Sequence, residues 1–209
     1  MTMILAAPRG ITQGIGLTQT PDFSLIKDPT CAGVLWHRHT LPDFQDWIDT
    51  LPAETLPSAR MILRPENVLN AMSEVCDIHD LPKGPHLQRL IEDITALAHI
   101  FTKTMGAPFL RVRLDLVTTN ACRKFHIDAL TARLVCTYRG TGTQYGTGAK
   151  GTVPSRIFTV PTGSPIVLRG TAWPEQPCAN LRHRSPPIEG TGETRLVLVI
   201  DPISDPNTV

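Results

Sequence analysis

The stretch FLRVRLDLVTTNACRKFHID (109–128) divides the chain in two. Its first nine residues alternate. Leu110, Val112, Leu114 and Leu116 fall on one side of an extended backbone, and Arg111, Arg113 and Asp115 on the other. That is the pattern of a half-buried strand. At its far end His126 and Asp128 sit two apart, and an extended backbone turns residues i and i+2 to the same side. An imidazole and a carboxylate side by side offer a divalent metal two ligands. Residues 1–107 read mainly as helix, and residues 108–209 as short strands.

Three segments before it have helical spacing. In LPDFQDWIDTL (41–51), Pro42 and Asp43 mark a helix start, with Phe44, Trp47, Ile48 and Leu51 on one face. PENVLNAMSEVC (65–76) places Val68, Leu69, Met72, Val75 and Cys76 likewise. The clearest runs over 86–105. There Leu87, Leu90, Ile91, Ile94, Leu97, Ala98, Phe101 and Met105 obey the i, i+3, i+4, i+7 rule, and Gly106 and Pro108 supply the stop. Residues 1–35 show no period and read as an irregular arm packed on the domain. Trp36-His37-Arg38-His39 has a ligand-like spacing but reads as a surface turn before a helix. His79, His86 and His99 read as surface or packed histidines.

After it come RLVCTY (133–138), 156–160, 165–168 and RLVLVI (195–200), short strands with turn signals and no helix between them. This pattern predicts a small barrel or jelly roll. RGTGTQYGTGAKGT (139–152) lacks GxxxxGK[ST], because Gly151 comes after Lys150, and reads as a flexible lid or hairpin. A Pro-rich loop over 173–187 carries Cys178 and His183. The expected fold class is therefore α+β. One domain, 1–209, comprises a mainly helical part over 1–107 and a β part over 108–209 that the helices brace from outside.

A net charge of +1 and 5% aromatic residues argue against nucleic acid or an anionic membrane as partner. Five irregularly spaced cysteines without a CxxC pair fit a reducing compartment. The N-terminus lacks the features of a secretory signal, and no apolar run approaches about 18 residues. A cytoplasmic protein acting on a small molecule is expected, its oligomeric state open.

His183 is the candidate third ligand. Two imidazoles and one carboxylate leave the remaining metal positions open, as in non-haem Fe(II) oxygenases. Arg195, in the final apolar run, can grip a carboxylate in two-pronged fashion. Arg113 and Arg133 could contact an anionic cofactor or substrate, unless Arg113 is merely solvated. Tyr138 could hydrogen-bond a co-substrate or complete a core layer. Arg184 is expected to point away from His183. Zinc competes with iron, because Cys122 and Cys136 lie near the HxD pair and could add thiolates.

Two segments, FHIDALTARLVCTYRGTGTQY (125–145) and LRHRSPPIEGTGETRLVLVID (181–201), resemble a bacterial family called domain of unknown function 1826. The same residues resemble the 2-oxoglutarate-dependent Fe(II) oxygenase superfamily in their HxD, distal His and later basic residue. The resemblance implies a double-stranded β-helix of cupin-like form and Fe(II) on His126, Asp128 and His183. It also implies 2-oxoglutarate with its distal carboxylate on Arg195, and a hydroxylase-type reaction releasing succinate and CO2. Arg133 and Tyr138 are then candidate cofactor contacts and Arg113 a candidate substrate contact. Members of that family are often encoded beside genes of zinc homeostasis. This implies the alternative of a non-catalytic, cupin-like Zn(II)-binding protein.

Overall fold

The structure, a computed structural model, describes residues 10–12, 14–174 and 180–208. The first part of the expected irregular arm, 1–9, and Cys178 lie outside them. In chain order the elements are β1 (Gly10–Thr12), β2 (Ile15–Thr18), β3 (Gly33–Trp36), α1 (Pro42–Thr50), β4 (Ala59–Leu63), α2 (Val68–Ile78) and α3 (Pro85–Met105). Then come β5 (Phe109–Val117), β6 (Ala132–Arg139), β7 (Gln144–Thr147), β8 (Phe158–Thr159), β9 (Ile166–Arg169), β10 (Leu181–Arg184) and β11 (Arg195–Ile203). The fold is mixed α+β. An eight-stranded sheet of order β1-β2-β3-β9-β6-β11-β5-β4 lies with a three-stranded sheet of order β10-β7-β8. All the pairings are antiparallel except β2 with β3.

The large sheet has two differently used faces. Leu110, Val112 and Leu114 of β5, Leu134 and Cys136 of β6, and Leu196, Leu198 and Ile200 of β11 pack with the buried stripes of the helices. α3 contributes Leu87, Leu90, Ile94, Leu97, Ala98 and Phe101, the stripe its spacing predicted. Gly106 ends α3 in the left-handed conformation (φ 66°), its N–H donating to the Thr102 carbonyl at 2.7 Å. Only a residue without Cβ takes that conformation cheaply. On the other face Val135, Val197 and Val199 join Ile166, Leu168, Leu35 and Leu181 of β10 in a second cluster between the sheets. The site lies on this second face.

The N-terminal part is less helical than its spacing predicted, since β2, β3 and β4 all enter the large sheet. β3 has no polar–apolar alternation because both of its faces are covered, Val34 by the helix-side core and Leu35 by the inter-sheet core. Such a strand looks irregular to a search for period two. The Gly- and Thr-rich stretch 139–152 includes β7, whose Tyr145 pairs across from His183. Among the described residues no helix is long and apolar enough to cross a membrane.

Candidate metal site

His126 and His183 face each other across an isolated antiparallel bridge. Each backbone N–H donates to the other's carbonyl at 3.0 Å. This places the imidazole centroids 4.5 Å apart. Asp128 completes the group, and one donor atom from each of the three residues lies within 4.8 Å of the others.

The donor chemistry suits a cation. The His126 Nδ1 lies 2.8 Å from the Lys124 carbonyl, which can only accept, so Nδ1 carries the proton and Nε2 presents its lone pair. Asp128 splits its oxygens: Oδ1 accepts from Arg133 Nη1 at 2.6 Å, while Oδ2 is buried without a hydrogen-bond partner. His183 Nε2 stands 3.1 Å from that Oδ2. The contact is close, but it does not have hydrogen-bond geometry. Buried polar atoms are seldom left unsatisfied, and a divalent metal would satisfy this one.

Ionisation agrees. Burial holds His183 below the ordinary imidazole value, which favours the neutral form a metal requires. The Asp128 carboxylate, 3.6 Å from the His126 Nε2, raises the His126 pKa. Burial alone would raise Asp128, but its contacts with His126, His183 and Arg133 outweigh it and hold the carboxyl far below its usual range.

Asp128 is fixed from two directions. The turn after it is laced to the end of β9 and beyond, with Thr171 N–H donating to the Asp128 carbonyl at 2.8 Å and Gly170 N–H to Thr131 at 2.8 Å. A Cβ on Gly170 would collide with the backbone oxygens of Leu130 and Asp128, so glycine permits this approach. From the other side Arg133 holds Asp128 and is itself held by Asp201, through Nε at 2.7 Å and Nη2 at 2.9 Å. Asp201 is 1% exposed. Arg133 thus touches the metal-facing carboxylate, with its fork already engaged.

Asp201 belongs to no motif, yet the sequence does carry a signal for it. Arg195, Val197, Val199 and Asp201 alternate onto one face of β11. A carboxylate at the end of that row is exceptional among buried apolar residues.

A cavity of about 150 Å³ adjoins the triad. His126, His183, Arg113, Arg133 and Arg195 line it, with Val117, Val135, Val197 and Val199 as apolar wall. Arg195 is 1% exposed. Its Nε donates to the Thr141 carbonyl at 2.6 Å and its Nη2 to Thr137 Oγ1 at 3.3 Å. No carboxylate of the described residues pairs with it. Burial lowers its pKa to about 10, which still leaves it charged at neutral pH. A buried charge with only neutral acceptors is costly, and a carboxylate ligand would relieve that cost.

Of the remaining candidates, Tyr138 and Cys136 lie on the helix side of the sheet, while Cys122 and Arg184 line the cavity. Tyr138 is not brought to this cavity. It sits on the helix side of the sheet and donates to Asp93 Oδ2 at 2.7 Å, where Arg38 binds the same carboxylate. Side chains of β6 alternate, and Tyr138 shares its face with Cys136 and Leu134 rather than with Arg133 and Val135. Cys136 therefore cannot give a thiolate to the triad, and burial pushes its thiol up to about 12. Cys122 lines the cavity but is not one of the clustered donors. Arg184 lines the cavity as well, its guanidinium lying over the Phe125 ring and its Nε donating to Gln144 Oε1.

Fold and site together define a two-sheet protein with a His-Asp-His cluster between its sheets. The chain belongs to the family described as "Protein of unknown function (DUF1826)", which matches residues 18–201. No curated protein matches it. Among solved structures it is similar to the dioxygenase for auxin oxidation in rice (14% identity, 88% of this chain and 78% of that one, TM-score 0.48). It is also similar to dioxygenase for auxin oxidation 1 from Arabidopsis thaliana in complex with 2-oxoglutarate (11%, 84% and 84%, 0.47). A Pseudomonas putida prolyl-4-hydroxylase gives 14% identity over 83% of this chain and 93% of that one, with a TM-score of 0.39.

Proposed function

We propose that the protein is a non-haem Fe(II)- and 2-oxoglutarate-dependent oxygenase acting on a small molecule. One observation carries this reading: His126 and His183, with Asp128 clustered beside them, line the same cavity as a buried, carboxylate-free guanidinium. A simple metal-storage or structural site needs no such cation. A dicarboxylate co-substrate does, because its keto-acid end binds the metal and its other end must be neutralised.

In this reading His126 Nε2, Asp128 Oδ2 and His183 Nε2 hold the ion. Bound Fe(II) supplies the activation of O2, coupled to conversion of 2-oxoglutarate to succinate and CO2 and insertion of one oxygen atom into a substrate C–H bond. The chain's own work is positional. Arg133 occupies Asp128 Oδ1, which keeps the carboxylate to a single coordination position. Arg195 and Thr137 receive the distal carboxylate, and Val197 and Val199 offer apolar wall to the methylenes. His183 and Arg195 are buried between the sheets, which limits water around them.

The test is anaerobic addition of Fe(II) and then 2-oxoglutarate to metal-free protein. A weak visible charge-transfer band is expected, and its absence with iron demonstrably bound would refute the reading. Zinc in place of iron after growth in medium replete in both, with no 2-oxoglutarate binding, would instead favour the non-catalytic zinc-binding alternative.

A further inference from the structure

Arg113 faces the triad's cavity without holding the metal site together. Its Nη1 lies 3.7 Å from Asp115 and its Nη2 3.9 Å from Asp201, both longer than hydrogen bonds. Its Nε is buried with no partner. Asp201 is already gripped by the Arg133 fork, and Arg111 stands 3.8 Å from it. Three guanidinia thus share two well-buried carboxylates, Asp201 and Asp128, while the Asp115 side chain is 40% exposed and screened by water. A divalent cation on the triad would add further positive charge. This end of the cavity therefore carries an excess of cation, with one guanidinium whose hydrogen-bonding capacity is unused.

We propose that Arg113 receives a carboxylate group of the substrate. The proposal rests on the oxygenase reading for what happens to that substrate, though not for its binding. A planar fork accepts a carboxylate through paired hydrogen bonds. A ligand there satisfies the idle donors and offsets the surplus charge. Arg195 cannot serve both acids, because it projects from the other end of the inward row of β11, beside Thr137 and Thr141. A cavity of about 150 Å³ admits a compact acid or the acidic end of a longer one.

The test uses acetate as probe on full-length, metal-free protein, with saturation-transfer NMR reading contact at the acetate methyl. Arg195→Met serves as the background, since it removes the most deeply buried guanidinium of the cavity. In that background acetate is expected to show transfer, and acetamide of the same shape none. Adding Arg113→Met should remove at least four-fifths of the acetate signal. Full signal in the double variant, or equal signal from acetamide, would overturn the proposal. Should the double variant fail to fold, Arg113→Lys takes its place and is expected to lose at least half the signal. Unchanged transfer there would be equally fatal. Neither iron nor 2-oxoglutarate enters this assay, so its outcome is independent of the charge-transfer test.

Discussion

Replacing Arg133 by Met tests the clamp behind Asp128. The change deletes three charge-assisted hydrogen bonds, of 2.6 Å to Asp128 and 2.7 and 2.9 Å to Asp201. Asp201 is left 1% exposed, with Arg111 and Arg113 at 3.8 and 3.9 Å, too far to hydrogen-bond. Removing one partner of a buried pair costs about 3–5 kcal/mol, since the survivor stays desolvated and uncompensated. The Arg133 side chain is 18% exposed, which trims the expectation to the lower half of that range. For a domain of this size the melting temperature should fall by roughly 10 °C. Urea denaturation of metal-free protein tracked by circular dichroism gives the free energy, and a cobalt titration gives the effect on the site. Cobalt affinity should drop by about 10- to 100-fold, the usual cost of losing an outer partner of a ligand. Arg133→Lys, with one point of charge in place of a fork, should fall between. A loss under about 1 kcal/mol with cobalt affinity intact would show that Asp201 and Arg133 do not hold the ligand carboxylate.

The same geometry sets other outcomes. His183→Ala should abolish stoichiometric metal binding while the far-ultraviolet spectrum stays native, and metal analysis with circular dichroism checks both halves of that statement. Tyr138→Phe should leave 2-oxoglutarate affinity unchanged and cost about 1–2 kcal/mol, because it removes a hydrogen bond to the Asp93 carboxylate on the far side of the sheet. Gly170→Ala should weaken metal binding by pushing the Asp128 turn away, and an unchanged cobalt titration would contradict this. Metal affinity should weaken with acid, starting above pH 6.5 because the His126 pKa is raised. In metal-free protein the sign reverses just above 6.5. His126 contributes its full stability below 6.5 and loses it as pH rises through its raised value, whereas the Asp128 contribution is lost only as pH falls below 3.8. His183, held low, costs stability only below 6.5. Urea midpoints and cobalt affinities measured between pH 6.5 and 8 should therefore run in opposite directions.

The candidate metal donors are legible in sequence because their geometry is local at one end and motif-like at the other. His126 and Asp128 share a side through simple alternation, and His183 with Arg195 sits near the start of the last strands. β5 can be read residue by residue, since one face is apolar and the other charged. β3 cannot, being covered on both faces, nor can β7, whose glycines and threonines give no period. Tyr138 is ambiguous for a physical reason. Which face of β6 looks inward depends on the register with β11 and β9, and neither pairing is written in RLVCTY. The role of Asp201 is hidden because it exists only when β5, β6 and β11 are laid side by side.

The rung between residues 126 and 183 has a further implication. Both imidazoles hang from the same pair of reciprocally bonded backbone units, contributed by segments remote in the chain. An ion held there acts as a rivet between the 124–127 segment and β10, so occupancy and closure of the small sheet become one equilibrium. Amide protons at residues 126 and 183 should exchange together and slow together on metal addition. Retention of metal would then report that this long-range contact of the chain has been made.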